Sequence, residues 1–249
     1  MRRFKADLHI HSCLSPCGDL DMSPRGIVEA SLQKGLDLIA LCDHNTAENV
    51  GAVIRAGKER GLWVLPGMEV NSYEEVHSLA LFDREAQVLE MQTFVYNHLQ
   101  GTNRPELFGE QVVANEFDEV EGFNDRLLIG ATGIRLVDII NKVHRLGGLC
   151  IASHVDRPSY SVVSQLGFIS PGLEFDALEV SPRTDLEKAR KDIPGAADYP
   201  LVTFSDAHFL KDIGGVCTEF LLDHPGIEEI RMALKQEQGR GIVEGPCGN

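Results

Sequence analysis

The stretch Phe4-Lys5-Ala6-Asp7-Leu8-His9-Ile10-His11-Ser12 reads as a β-strand that ends on two histidines. Side chains at i and i+2 of a strand share a face, so His9 and His11 present two imidazoles to one point. An H-x-H pair also occurs on ordinary strand faces, and its meaning depends on what the other strands carry. Short apolar runs at 37–42, 62–70, 76–82, 149–153, 175–181 and 200–205 alternate with helical patterns at 24–35, 47–60, 134–145, 186–191 and 226–238. Ser23-Pro24 supplies an N-cap and a first-turn proline to the first helix, and Gly35 stops it. The tail 239–249 reads as frayed or strand-like. Repeated strand-then-helix units predict a largely parallel sheet, doubly wound or closed into a barrel. The polar residues decide between these. His9/His11, Asp43/His44, Glu69, His77, His154 and Asp206/His208 fall at or beside six separate strand ends. A barrel gathers residues from every strand at one mouth, whereas the crevice of an open sheet is lined by fewer. The expectation is an α/β barrel with its site at the C-terminal ends of the strands.

The 249 residues carry 23 Lys and Arg against 38 Asp and Glu, a net charge of −15 with histidine neutral. Such a chain lacks the field that recruits a polyanion or an anionic bilayer, so neither nucleic acid nor a membrane is expected as a partner. A composition with 43% hydrophobic and 24% charged residues is that of a globular protein. The start has no apolar signal region, and no stretch approaches the ~20 apolar residues of a membrane span, which points to the cytoplasm. Six scattered cysteines then read as reduced thiols rather than a disulfide framework.

Mixed imidazole and carboxylate donors suit Zn, Mn or Fe, and a carboxylate such as Glu69 or Asp206 can bridge two cations. The segments Asp7-Leu8-His9-Ile10-His11-Ser12, Cys42-Asp43-His44-Asn45, Gly67-Met68-Glu69-Val70, the isolated His77, Ser153-His154-Val155-Asp156 and Ser205-Asp206-Ala207-His208 follow one another in this order. In content and order they resemble the PHP (polymerase and histidinol phosphatase) family of metal-dependent phosphoesterases, over roughly residues 6–208. The resemblance implies a distorted (β/α)7 barrel with two or three divalent metal ions in its mouth. It implies that His9, His11, Glu69 and Asp206 hold one metal, that Glu69 bridges to a second held by His77 and His154, and that His44 and His208 hold a third with a residue of the loop after His11. There the chain departs from the family. Anchoring on Ser23-Pro24 makes Pro16-Cys17-Gly18 an insertion and gives the loop position to Asp19, with Asp21 and Cys17 as its competitors.

Arg157 and Arg183 lie just past strand ends and are candidate substrate clamps, because guanidinium forks match phosphate oxygens. Asp43 is a candidate to orient a metal-bound imidazole. His98, His144 and His224 fall outside the clusters and read as structural. Residues 83–133 hold no metal-type cluster and read as a lid or insertion within a single domain over 1–249. The function expected is hydrolysis of a small phosphomonoester by a metal-activated water, with Glu69 and Asp206 as the catalytic carboxylates. The alternatives are a phosphodiesterase or exonuclease acting on nucleic-acid ends, and a non-catalytic metal-binding regulatory barrel.

Overall fold

The first strand, β1 (Arg2–Ile10), is longer than its neighbour β2 and is buried over most of its length, and the sheet grows from it in both directions. The computed structural model describes residues 1–181 and 184–243. After β1 come α1 (Pro24–Gln33), β2 (Leu38–Leu41), α2 (Val50–Arg60), β3 (Trp63–Asn71), β4 (His77–Leu81), α3 (Glu85–Tyr96), the single turn α4 (Pro105–Phe108), β5 (Val112–Ala114) and β6 (Val120–Phe123). The second half holds α5 (Leu136–Arg145), β7 (Leu149–Ala152), α6 (Val162–Leu166), β8 (Ala177–Glu179), α7 (Leu186–Asp192), β9 (Leu201–Val202), β10 (Thr218–Leu222), α8 (Ile227–Leu234) and β11 (Gly241–Val243). Ser23 caps α1 as expected, its side chain accepting the Gly26 N–H.

Among the described residues nine strands form one sheet in the order β11-β10-β1-β2-β3-β4-β7-β8-β9, and β5 and β6 pair as a separate hairpin. The parallel expectation is met by β1-β2-β3 and by β7-β8-β9. It fails at β4, which runs antiparallel to both neighbours. The segment 72–76 is too short for a crossover and admits only a hairpin. It fails also at β10 and β11, which pair antiparallel beside β1; the sequence pattern does not predict β10.

The sheet curls, so that the segment after β9 returns to β1. Ile10 bridges Ala207, the His11 N–H donates to the Ala207 carbonyl, and the Ala207 N–H donates to the His9 carbonyl. Side chains complete the seam: the Thr218 hydroxyl accepts the Thr203 N–H and donates to the Thr203 carbonyl, and the Asp7 carboxylate accepts the N–H groups of Ser205 and Gly214. Closure thus rests on a short bridge and a few side chains instead of a continuous ladder.

Strand alternation sorts the core into two layers. Phe4, Ala6, Leu8, Leu38, Ala40, Leu79, Leu81, Ile151, Phe204 and Phe220 pack inside the curl, floored by Ile227, Ile230 and Ala233 of α8. Ile39, Leu41, Met68, Val70, Ala80 and Cys150 face outward against the helices, including Val88, Met91 and Val95 of α3. Part of the segment read as a lid, α3, is therefore core helix. Cys13, Cys17, Cys42 and Cys150 are free thiols, whereas Cys217 is disulfide-bonded, which the scattered spacing did not predict. No helix among the described residues is long and apolar enough to cross a membrane.

Candidate metal centre

One irregularity in β1 aims its histidines. Phe4, Ala6 and Leu8 face the interior, yet Ile10 faces outward, because the pairing with β2 shifts register between Asp7 and Ile10. A bulge re-aims side chains in this way. His9 therefore points inward beside Leu8, and His11 follows on the same face; both are fully buried.

Glu69 of β3 sits at the centre. Its Oε1 lies 3.4 Å from His9 Nε2, 3.3 Å from His77 Nδ1 and 3.4 Å from His154 Nε2. Its Oε2 lies 3.1 Å from His44 Nδ1 and 3.6 Å from His11 Nε2. Asp206 Oδ1 lies 3.2 Å from His9 Nε2 and 3.1 Å from His11 Nε2, and these two nitrogens are 3.1 Å apart. Donor atoms bound at ~2.0–2.2 Å to a shared ion stand about 3.0–3.6 Å apart, so the spacing fits one. Three groups of converging donors stand out: His9, His11 and Asp206; His44, Glu69 and His77; and His11, His44 and His208. Glu69 Oε1, His77 Nδ1 and Asp206 Oδ1 are buried without a hydrogen-bond partner, a costly arrangement that a cation would relieve.

The other face of the imidazoles is equally organised. His9 Nδ1 lies 3.0 Å from both oxygens of Glu179, at the end of β8, and Glu179 also accepts the His154 N–H. His11 Nδ1 donates to Ser15 Oγ, whose own hydroxyl donates to Asp43. His208 Nδ1 donates to the Asp206 carbonyl. In all three the partner fixes Nδ1 as a donor, which leaves Nε2 as the nitrogen a metal ion would use. Asp43 thus acts on His11 through Ser15, not directly on His44 as its position in the sequence suggested. Neither Ser15 nor Glu179 stands out in the sequence. The available signal for Glu179 is a lone acid in the apolar run Ala177-Leu178-Glu179-Val180.

Electrostatics keeps both carboxylates of the centre ionised. Burial pushes Glu69 up, but His77, His9 and hydrogen bonds from His154 and His44 hold it well below the usual carboxylate range. Asp206 is likewise held low against its burial by His9 and His11. Burial, with repulsion from His208, keeps His11 neutral well below the ordinary histidine range. Four non-glycine residues at the mouth, Asn45, His154, Tyr160 and Asp206, adopt left-handed backbone at φ of 54°, 29°, 55° and 50°. Strain of this kind persists where the surroundings over-determine it, as at functional sites.

The structure brings His9, His11, His44, Glu69, His77, His154, Asp206 and His208 together. Asp19 is not among them: its Oδ1 accepts the Asp21 N–H, closing a turn at the rim. The thiol of Cys17 lies within hydrogen-bonding reach of His44 and His208. Burial pushes this thiol up, but the charge on His44 and hydrogen bonds from His208 and His44 bring it down to about 6. Arg157 stands at the mouth with Nη1 2.6 Å from Asp206 Oδ2, its side chain 39% exposed. Arg183 lies outside the described residues. His98 and His144 join no donor group; they bond to the Phe94 carbonyl and to Asp176. Residues beyond α3 are stitched to the site by Asn45, which donates to the carbonyls of Leu128 and Gly130, and by Asn49, which bonds Ser12, Val112 and Ala114.

Comparison with known proteins supplies the context. The chain is 26% identical over 274 residues to the uncharacterized protein YqxK of Bacillus subtilis, covering 98% of this chain and 65% of that one. Its fold is similar to that of the lesion-specific endonuclease EndoQ from Pyrococcus furiosus, with a TM-score of 0.71 at 23% identity, covering 97% of this chain and 58% of that chain. It is similar also to Endonuclease Q in complex with a 27-mer duplex carrying an abasic lesion at the active site, with a TM-score of 0.70 at 22% identity, covering 96% and 58%. The chain therefore spans less than two thirds of the length of these relatives. The PHP domain model matches residues 7–160, and the PHP-associated model matches residues 196–238. With the first of these covering more than half its length, this chain belongs to the PHP domain family of metal-dependent phosphoesterases.

Proposed function

We propose that this chain hydrolyses phosphate esters with two or three divalent ions, Zn, Mn or Fe, held at the mouth of a distorted (β/α)7 barrel. The observation that carries this reading is the Glu69 carboxylate surrounded by five imidazoles, with buried donor atoms left unpartnered around it. His9, His11, Glu69 and Asp206 would hold one ion, Glu69, His77 and His154 a second, and His44 and His208 a third. Bound ions supply Lewis acidity, easing deprotonation of the attacking water and offsetting charge on the phosphoryl oxygens. The chain itself contributes orientation. Glu179 and Ser15 fix the tautomers of His9 and His11, and Arg157, anchored on Asp206, offers its fork to a phosphate oxygen. We read the chain as one domain acting in the cytoplasm, with residues 97–133 as the lid.

A small phosphomonoester is the first substrate reading, supported by the charge of −15. A nucleic-acid phosphodiester is the second, favoured by the likeness to an endonuclease whose structure holds duplex DNA. That likeness removes the ground for dismissing nucleic acid on charge alone. A panel of p-nitrophenyl phosphate, nucleoside monophosphates, bis-p-nitrophenyl phosphate, single strands and abasic-site duplexes separates the two. Metal analysis should find at least two ions per chain. Glu69→Gln is expected to lose bound metal and about 10³-fold in turnover with unchanged far-ultraviolet circular dichroism. Near-normal turnover would refute the role given to Glu69.

A further inference from the structure

The loop between His11 and α1 is a tight, fixed turn. The Gly18 N–H donates to the Ser15 carbonyl at 2.8 Å, which closes Ser15-Pro16-Cys17-Gly18 as a β-turn with proline in its second position. Only glycine fits at its end, because a Cβ on Gly18 would stand 2.4 Å from the Ser12 carbonyl oxygen. The turn is pinned on three sides. Ser12 and Ser15 are bonded to Asp43, the Asp19 N–H donates to the His208 carbonyl, and Gly109 lies so close over Pro16 that a Cβ there would meet the Pro16 oxygen at 2.4 Å. A turn held in this way sets where its third residue points. The Cys17 thiol comes within hydrogen-bonding reach of the imidazoles of both His44 and His208. Those two rings, with His11, form the outermost group of converging donors, and the nearby Asp206 Oδ1 is buried and unpartnered.

We propose that Cys17 supplies a thiolate ligand, alongside His44 and His208, to the outermost divalent ion of the cluster, at the position where an acidic residue was expected. The inference rests on the metal-cluster reading above and adds a chemical consequence to it. An S,N,N donor set is softer than a carboxylate-containing one, so this position selects Zn or Co over Mn or Mg. It also exposes the ion to loss by thiol oxidation, because Cys17 lies at the solvent-facing rim.

Cobalt(II) tests this without relying on activity, because a cobalt–thiolate bond has a charge-transfer band in the near ultraviolet. Metal-free protein is titrated with Co(II) while bound metal is counted separately by elemental analysis. The wild type is expected to develop the band as the last equivalent binds. Cys17→Ser should lose the band and about one equivalent, Cys17→Asp should lose the band and keep the equivalent, and Asp19→Asn should change neither. A band that survives in Cys17→Ser, or a fully loaded wild type without one, overturns the thiolate assignment and leaves the cluster standing. Protein that binds no cobalt at all overturns the cluster and this inference together. Circular dichroism of both Cys17 variants confirms that any loss is not unfolding.

Discussion

A carboxylate facing away from the donor atoms decides which nitrogen of His9 is presented to them. Glu179 is buried, accepts from His9 Nδ1 and receives the His154 backbone N–H, so one side chain steadies two strand ends. Glu179→Gln keeps the shape but replaces one acceptor oxygen with a donor and removes the charge that makes His9 a better ligand. It is expected to lower metal affinity by about 10–100-fold, read by competition against a chelator of known affinity, with thermal unfolding of the metal-free protein little changed. Wild-type affinity in this variant would show that His9 is oriented by packing alone. The donor residues were legible because buried histidines and acids are costly, and a row of them at successive strand ends makes physical sense when they share a cation. Glu179 and Ser15 were not legible, since their importance lies in which atom they face across the curl. Asp19 was hard to place for a related reason: anchoring on Ser23-Pro24 fixed the helix start, but a turn with Pro16 and Gly18 inserted sets the Cys17 thiol beside His44 and His208, while Asp19 Oδ1 accepts the Asp21 N–H.

At the scale of elements, the sequence conveyed which segments are strands better than how they run. The hairpin β3-β4 follows from a short connection and was within reach of chain-length reasoning, whereas β10 returns antiparallel to β1 across more than two hundred residues, a pairing no local pattern encodes. The floor of the curl shows what fixes that return. Glu229 of α8 accepts two hydrogen bonds from Arg240, just before β11, and one from the Asp223 N–H, just after β10. The Arg240 hydrogen bonds hold the Glu229 carboxyl below its ordinary range. A group depressed in the folded state adds stability above its unfolded pKa and loses it as pH falls through the folded value. Glu229→Gln should therefore cost about 1 kcal/mol near pH 7, and its unfolding midpoint should converge with that of the wild type as the pH is brought below about 4. Parallel curves down to acid pH would mean that the clamp holds by shape instead of charge.

For the molecule as a whole, the proposed metal centre would set a small positive mouth within a negative body. Two or three bound divalent ions would bring the formal charge of −15 to about −11 to −9, with all the added charge at one end of the curl. A small phosphate ester responds mainly to the near field of the ions and Arg157, whereas an oligonucleotide also meets the repulsion of the rest of the chain. Ordinary DNA-binding proteins lose affinity as salt rises, because bound cations are released from the phosphates they neutralise. With acidic side chains outnumbering basic ones by 38 to 23, this chain is expected to show the opposite sign. Its kcat/KM on a single strand of about 20 nucleotides should rise between ~10 and ~150 mM salt as self-repulsion is screened over the Debye length, while kcat/KM on p-nitrophenyl phosphate changes by less than about twofold. Steady-state kinetics at fixed metal concentration reads both. An oligonucleotide rate that falls steeply over that range would reveal a cationic track on this surface that the overall charge conceals, and would make nucleic acid the first substrate reading.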